Sequence, residues 1–429
     1  MNNKSNKLIP ELRFPEFAND GEWSERLLDT LGKTISGLSG KSGDDFREGK
    51  PFVTYKQVFD KAYVDFTQCG KVKISEFENQ NELRLGDVLF TTSSETPNEV
   101  GFASVIINSP TEPTYLNSFC FIFRPENLNN LLPAFSRYLF HSPLYRKSIS
   151  VLAQGSTRYN ISKGSFLNLK LPLPSPAEQQ KIASCLSSLE ELITAHNDKL
   201  ETLKTYKKGL MQNLFPQKGE KVPKLRFKEF EKDGEWAEKK LGELAELTSS
   251  KRVHLADYVS SGVPFFRGKE ISQLKNNQLP NDILYISNEQ YKEIKNKYGV
   301  PTKGDILITA VGTLGNVYRI KNDEEFYFKD GNLIWMKNIL IDSNFLEVLL
   351  DVEKEKVLAS AIGSSQKALT MAALNKIEFQ IPRNPIEQQK VAETLSTLNK
   401  LSREQSNKIE QLKSHKKGLM QGLFPKVKN

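Results

Sequence analysis

The chain has 429 residues, of which 26% are charged, and its formal net charge is +8. This length exceeds what one hydrophobic core usually supports, so two to four domains are expected, and the moderate charge excludes a disordered polycation while weakly favouring a polyanionic partner. Cys69, Cys120 and Cys185 lack metal-ligand spacing, so a reducing cytoplasm is expected, and no apolar run predicts a signal peptide or a membrane span.

The chain is a tandem duplication. A lead-in segment at Pro10 to Leu31 returns at Pro223 to Leu244, with LRF and DGEW in both copies. A longer segment at Pro176 to Pro216 returns without a gap at Pro385 to Pro425, and both copies contain EQQK and KKGLMQ. Each half therefore consists of a lead-in segment, a variable body and a long helix.

The two bodies share a pattern of short strands and helices. Gly86-Asp87 and Gly304-Asp305 each predict a turn that is followed by an alternating apolar strand. Further β runs are predicted at Phe119 to Phe123, Leu284 to Ile286 and Asn332 to Met336, and helical runs at Leu131 to Leu139 and Phe345 to Leu358. Each body is therefore predicted to be an α+β domain of about 150 to 170 residues.

Polar and basic residues recur in loops of both bodies, among glycines and aromatic residues. Arginine and lysine suit guanine edges and phosphates, asparagine and glutamine suit adenine, and serine and threonine allow close phosphate approach. A single loop of this kind is usually only solvated, but recurrence at equivalent places favours DNA binding. The candidates are Lys41, Tyr55, Lys56, Thr91, Thr92, Ser93, Ser94, Ser156, Thr157, Arg158, Tyr159 and Asn160 in the first body, and Lys251, Arg252, Arg267, Lys269, Thr313, Asn316, Lys329, Asn332, Ser364, Ser365, Gln366 and Lys367 in the second.

Signatures of catalysis do not follow from the sequence. Gly40-Lys41-Ser42 lacks the first glycine of a phosphate-binding loop, because Ile35 stands there. The four histidines are scattered, and neither a zinc-ligand nor a catalytic-triad arrangement follows. We therefore predict no catalytic residue and no metal site on this chain.

The two long helices carry apolar residues at alternating steps of three and four, which is typical of a coiled coil. Each helix from Glu178 to Leu214 would be roughly 55 Å long, and an antiparallel pair is expected because a parallel pair would place Lys207 against Lys416. His196 and Gln405 fall at the middle of the seam in either orientation. Two core helices of one bundle are the alternative. The predicted pairing residues are Leu186, Leu189, Ile193, His196, Leu200, Leu203, Leu395, Leu398, Gln405, Ile409 and Leu412.

The whole pattern resembles the specificity subunit of type I restriction-modification systems. The resemblance rests on the duplication, on GVPFFR at Gly262 to Arg267, on GDILITAVGTLGNV from Gly304, and on GSSQ at Gly363 leading to the EQQ at Glu387. It implies two mixed α/β target recognition domains, at residues 1–175 and 217–384, separated by two long antiparallel coiled-coil helices at 176–216 and 385–425, with a tail at 426–429.

The resemblance also implies the function and the partners. Each target recognition domain would read one half of a split sequence in double-stranded DNA, and the subunit would dock two methyltransferase and two motor or restriction subunits. S-adenosylmethionine, ATP and Mg²⁺ would belong to those partners, so no cofactor is expected on this chain. The alternative is a tandem scaffold that binds proteins without DNA specificity.

Two features leave alternatives open. Thr91 to Glu95 follows the first Gly-Asp strand where the second half has a Gly-Thr-Leu-Gly run, so DNA contacts need not transfer residue for residue between the halves. The apolar helix ends either form a docking surface or pack on the adjacent body; these ends are Leu210, Met211, Leu214 and Phe215, and Leu419, Met420, Leu423 and Phe424.

Overall fold

The computed structural model describes residues 8–364 and 367–426. The chain divides into two compact units, and neither is a continuous half of the duplication. Unit one comprises Met1–Asn197 with Asn407–Asn429, and unit two comprises Asp198–Ser406. Each long helix therefore contributes residues to both units.

Unit one contains short strands and helices before the first long helix. Its strands are β1 (Ser24–Leu27), β2 (Gly32–Ser36), β3 (Phe46–Val53), β4 (Gly70–Val72), β5 (Val88–Thr91), β6 (Ser93–Ser94), β7 (Ala103–Val105), β8 (Tyr115–Leu116), β9 (Cys120–Pro125), β10 (Tyr159–Asn160) and β11 (Lys170–Leu173). Its helices are α1 (Tyr55–Asp60), α2 (Pro133–Leu139), α3 (Pro143–Ser150), α4 (Lys163–Leu167) and the first part of α5 (Pro176–Asn213).

Unit two has a similar order of elements, with two more α-helices among its described residues. Its strands are β12 (Ala237–Lys240), β13 (Glu246–Thr248), β14 (Tyr258–Val259), β15 (Val263–Phe266), β16 (Leu284–Ile286), β17 (Ile306–Thr309), β18 (Val317–Arg319), β19 (Tyr327–Phe328), β20 (Leu333–Lys337) and β21 (Glu378–Ile381). Its helices are α6 (Leu241–Leu244), α7 (Gly268–Lys275), α8 (Asn288–Tyr298), α9 (Ser343–Val352), α10 (Lys354–Ala359), α11 (Met371–Leu374) and the first part of α12 (Pro385–Gly422).

The sheets of the two units have similar topologies, with one more strand in the second sheet of unit two. An antiparallel four-stranded sheet has the order β2-β9-β5-β7 in unit one and β13-β20-β17-β18 in unit two. A second sheet, β4-β3-β8 in unit one and β14-β16-β15-β19 in unit two, contains one parallel pair in each case. A two-stranded ribbon, β1-β11 or β12-β21, joins the lead-in segment to the strand before the long helix. The predicted α+β class is confirmed.

The Gly-Asp turns lie where the sequence predicts them. Gly86 and Gly304 have φ of 85° and 94°, a left-handed conformation that glycine adopts without a side-chain clash. The strands that follow, β5 and β17, are fully buried and lie inside the four-stranded sheets. Apolar residues on both faces of these strands therefore reflect burial on both faces.

A lead-in latch fixes each lead-in segment to the start of a long helix. In unit one, Arg13 donates to Glu178 through Nε at 2.9 Å and Nη2 at 2.8 Å, and the Trp23 indole donates to the same carboxylate at 3.2 Å. Arg226, Trp236 and Glu387 form the same arrangement in unit two, at 2.8, 2.8 and 3.2 Å. The repeated LRF, DGEW and EQQ motifs are therefore partners of one another in the fold.

The glutamine after each latch glutamate holds a second element. The side-chain Oε1 of Gln179 accepts from the Leu132 amide at 3.0 Å, and its Nε2 donates to the Asn130 main-chain carbonyl at 2.9 Å. In unit two, Gln388 accepts from the Asp342 amide at 3.2 Å and donates to the Pro382 carbonyl at 2.8 Å. The EQQ motif therefore connects the long helix to the helix that covers the four-stranded sheet.

Within each unit, the segments of α5 and α12 run antiparallel. In unit one, the Leu12 amide donates to the Gly422 carbonyl at 2.8 Å beside the Arg13 latch, and further along Lys416 of α12 pairs with Glu190 of α5. In unit two, the Leu225 amide donates to the Asn213 carbonyl at 2.8 Å beside the Arg226 latch. The start of one helix thus lies beside the end of the other, as predicted.

The long helices begin at the predicted prolines and end three residues earlier than predicted, at Asn213 and Gly422. All the predicted pairing residues are buried or half-buried. Of the two interpretations of the apolar helix ends, packing within the unit applies. The ring centroid of Phe424 lies 5.9 Å from that of Trp23 and 5.8 Å from that of Phe135. Phe215 makes the equivalent ring contacts with Trp236 and Phe345, at centroid distances of 5.7 and 5.9 Å.

Candidate nucleic-acid interface

A short helix follows the same strand of the second sheet in each unit and brings a lysine to the surface. Helix α1 follows β3, and α7 follows β15. Lys56 and Lys269 are both the second residue of their helix, and both are exposed. The next residue in each helix is buried, Gln57 in α1 and Glu270 in α7. Both helices therefore present the same lysine position to solvent.

The ends of the equivalent strands β5 and β17 are built identically in the two units. The Thr91 hydroxyl accepts from the Phe102 amide at 3.0 Å, and the Thr309 hydroxyl accepts from the Asn316 amide at 2.9 Å. The preceding glycines, Gly101 and Gly315, have φ of 62° and 72° and donate from their amides to the same threonine residues. The loop that leaves each strand is thus closed by one threonine-glycine frame.

A second loop returns beside this frame. In unit one, residues 154–160 are closed by paired backbone hydrogen bonds between Gln154 and Asn160, at 3.0 and 2.8 Å, and in unit two Ile362 and Ala368 are paired in the same way, at 2.9 and 2.8 Å. The amide of the residue after each loop then donates to the carbonyl of the residue that follows the frame threonine. These pairs are Ile161 with Thr92 and Leu369 with Ala310. Ser364 and Lys367 are exposed in this loop, and Ser365 and Gln366 lie outside the described residues.

In unit one, these elements enclose a cavity of 300 Å³ with aromatic, acidic and basic walls. Its lining residues are Tyr55, Phe59, Ser93, Ser94, Glu95, Glu99, Phe119 and Arg158. The Tyr55 hydroxyl donates to the Ser93 carbonyl at 2.7 Å, and burial raises the pKa of Tyr55. Tyr159 and Asn160 pair with Ser94 and Ser93 in the β6-β10 ribbon, beyond Thr91 and Thr92. Ser156, Thr157 and Arg158 are exposed at the tip of the loop 154–160.

In unit two, the equivalent cavity of 560 Å³ has polar walls. Its lining residues are Arg267, Gly268, Lys269, Ser272, Gln273, Asn276, Gln278, Val311, Gly312, Thr313 and Asn332. The structure thus brings together Arg267, Lys269, Thr313 and Asn332 from the sequence candidates. Sequence reasoning missed Ser272, Gln273, Asn276 and Gln278, although the spacing of Lys269, Ser272, Gln273 and Asn276 was a signal for one exposed face of a helix.

Two of the candidate residues in unit two hold the site in shape. Arg267 donates from Nε at 3.1 Å and from Nη2 at 2.7 Å to the buried carboxylate of Glu270. Burial opposes ionisation of Glu270, but the hydrogen bonds and positive charge of Arg267 lower its pKa. Asn316 donates to the Ser272 hydroxyl at 3.0 Å, and Ser272 donates to the Gly268 carbonyl at 2.8 Å. These bonds fasten α7 to the loop after β17.

The remaining candidates lie outside the cavity walls. Lys41 donates to Glu78 at 2.7 Å, and its side chain is only 6% exposed, which makes it a structural ion pair. Arg252 donates to Asp330 at 3.0 Å, and Lys251 is fixed by a bond from its amide to the Tyr327 hydroxyl at 2.7 Å. Lys329 is exposed, and its amide bonds to the Phe266 carbonyl, next to Arg267.

Comparison with known protein families matches both halves of the chain to one family. The sequence model of the type I restriction modification DNA specificity domain matches residues 21–205 and again residues 233–413. The chain belongs to the type I restriction modification DNA specificity family. The resemblance stated from the sequence is therefore confirmed, together with the tandem arrangement of two specificity domains.

Specificity subunits match over most of the chain. The chain is 27% identical over 412 residues to a putative type I restriction enzyme MjaX specificity subunit of Methanocaldococcus jannaschii, covering 93% of this chain and 92% of that protein. It is 29% identical over 267 residues to a putative type I specificity subunit of Haemophilus influenzae, covering 62% of each. The fold matches the crystal structure of a type I S subunit from M. genitalium, with a TM-score of 0.58, 16% identity and coverage of 98% of this chain and 100% of that one.

A second solved structure of similar fold comes from work on complex assembly and conformational transition of the type I restriction-modification system. Its TM-score is 0.56 at 16% identity, covering 94% of this chain and 97% of that chain. In this specificity-family chain, the part that the structure describes holds no cluster of three or more histidine, cysteine or acidic side chains suited to a metal. Within the same residues, no helix has the length and apolar character to cross a bilayer.

Proposed function

We propose that the chain is the sequence-specific DNA-binding subunit of a type I restriction-modification complex and that it recognises a bipartite target. The observation that carries the proposal is one site built twice. Lys56 and Lys269, like Thr91 and Thr309, hold matching positions, while the residues around the two cavities differ in chemistry. A shared frame with different walls is what two domains need in order to read two different half-sites.

In this proposal, contacts to phosphates position each unit and contacts to bases provide specificity. Lys56 and Lys269 are exposed and suit phosphates. Polar residues of the cavity walls would face base edges in the major groove, which is about 12 Å wide and admits a helix or a ribbon. Because phosphate contacts release counterions, binding would weaken steeply as the salt concentration rises.

The proposed partners are two methyltransferase subunits and two motor or restriction subunits. Support comes from the family and from the similar fold of a chain studied in the context of type I complex assembly. S-adenosylmethionine, ATP and Mg²⁺ would be bound by those subunits, and this chain would contribute recognition without a catalytic group.

The test is selection from a library of randomised DNA duplexes by the full chain, alone and with the methyltransferase subunit of its own system. The expected result is a split sequence with two specified parts and an unspecified gap. Methylation sequencing of cells that carry the system should show the same split sequence. If neither sample selects any sequence, while the partner subunit still binds the chain, the protein is a scaffold and the proposal is wrong.

A further inference from the structure

Helix α7 presents one polar face to the cavity of unit two. Lys269, Ser272 and Gln273 of α7 and Asn276, the residue directly after its end, recur at steps of three, one and three, and all four line the cavity. The opposite face carries the buried Glu270 and Ile271. Such spacing places the four residues along one side of a helix, where they can contact a single ligand surface.

The residues on this face have different freedom to bind a ligand. Ser272 is held by Asn316 and Gly268, and the Gln273 amide donates to Asn281 at 3.1 Å. Asn276 and Gln278 line the same wall and are exposed. A side-chain carboxamide offers one acceptor and two donors in a plane. This pairing matches N7 and the 6-amino group of adenine in the major groove.

The equivalent helix in unit one has different chemistry on the same face. Lys56 is followed by Phe59 and Asp60 at the positions that correspond to Ser272 and Gln273 in unit two. Phe59 is packed on Tyr55 and Phe102, with ring centroids 6.2 and 4.7 Å apart. The lysine is therefore common to both helices, whereas the carboxamide wall belongs to unit two.

We propose that Asn276 and Gln278 specify at least one adenine in the half-site read by unit two, with Lys269 on a neighbouring phosphate. This inference rests on the proposed function and adds to it the residues that select a base and the base that they select. Lys269 would contribute affinity without sequence preference, because phosphates carry no base identity.

The experiment uses the full chain with its methyltransferase subunit and the randomised duplex library. Asn276→Asp and Gln278→Glu change a carboxamide into a carboxylate of the same shape at exposed positions, so folding should be retained. A carboxylate accepts from the cytosine 4-amino group and does not match adenine. We expect one variant or both to lose an adenine about 5- to 150-fold and to gain cytosine at that position, with the other half-site unchanged.

Two controls separate base reading from charge. Asn399→Asp adds the same charge at an exposed position of α12 away from the cavity, and it should leave the selected sequence unchanged. Lys269→Ala should weaken binding to all sequences alike and reduce the slope of log K against log salt by about 0.9.

Replacing the selected adenine by 7-deazaadenine gives an independent readout. The analogue lacks the N7 acceptor and should weaken the wild-type chain, but it should have little further effect on the alanine variant of the residue that reads it. If the wild type selects a bipartite sequence and both carboxylate variants select the same one, the inference is wrong and the proposed function stands. If the wild type selects nothing, the proposed function itself fails.

Discussion

Replacing Glu387 by glutamine tests whether the lead-in latch stabilises unit two. The Arg226 guanidinium donates twice to this carboxylate at 2.8 Å, and the two side chains are 6% and 1% exposed. The variant keeps the volume but leaves a largely buried arginine without its counter-charge. Removing one partner of a buried ion pair costs about 3–5 kcal/mol. We expect a cost at the lower end of this range, about 3 kcal/mol. The reason is that Arg226 retains a hydrogen bond to the Gly234 carbonyl at the solvent-exposed edge of the latch.

For a unit of about 200 residues, this loss corresponds to a fall in melting temperature of about 6–12 °C. Hydrogen exchange followed by mass spectrometry measures the loss, because peptides from the two units are resolved separately. Glu387→Gln should reduce protection mainly in peptides from 198–406, and the matched variant Glu178→Gln mainly in peptides from 8–197 and 407–426. The double variant Arg226→Met with Glu387→Leu should recover part of the loss, since it buries no unpaired charge but removes the acceptor of the Trp236 indole. Losses below about 1 kcal/mol, or the same exchange pattern for both glutamine variants, would refute a latch that acts within its own unit.

The remaining predictions concern packing and recognition. Phe215→Ala should destabilise unit two by about 3–5 kcal/mol, measured by chemical denaturation, because the buried ring stacks on Phe345 and contacts Trp236; a change below 1 kcal/mol would contradict this packing. Inserting one heptad into α5 alone should change or abolish the gap between the half-sites, because α5 contributes residues to both units; methylation sequencing checks this, and an unchanged gap would count against helix length as its determinant. Exchanging residues 1–175 for those of another family member should change one half-site only, and a change in both would contradict modular recognition.

The sequence predicted best those features that depend on local chemistry. Pro176 and Pro385 begin the long helices as predicted, since proline suits the first helical turn, and the Gly-Asp turns precede buried strands. Antiparallel packing was predictable because a parallel pair would place Lys207 against Lys416, and in the structure Lys416 pairs with Glu190 instead. These features follow from residues whose conformational or charge requirements are strong.

Long-range pairs were not predictable from either residue alone. Arg13 and Glu178 are 165 positions apart, and in the sequence each is an ordinary charged residue. Lys41 is a predicted DNA contact because it is a basic residue in a polar loop, but it pairs with Glu78, 37 positions away. The polar face of α7 was missed because Glu270, on the opposite face, is fully buried, and periodicity places a glutamate on the solvent side. Only the fold shows that Arg267 compensates that buried charge.

The division between identical and different residues explains how one architecture can read two sequences. The latch residues and the threonine-glycine frame are the same in both units, and they bond to the backbone or to buried partners. Changing them would alter the fold before it altered recognition. The residues that differ, such as Phe59 in unit one and Asn276 in unit two, line the cavities. The exposed ones among them, including Asn276, can change at little cost in folding energy, since surface substitutions usually alter stability by less than about 0.5 kcal/mol. Specificity can therefore diverge on the cavity walls while the latch and frame preserve the geometry that presents them.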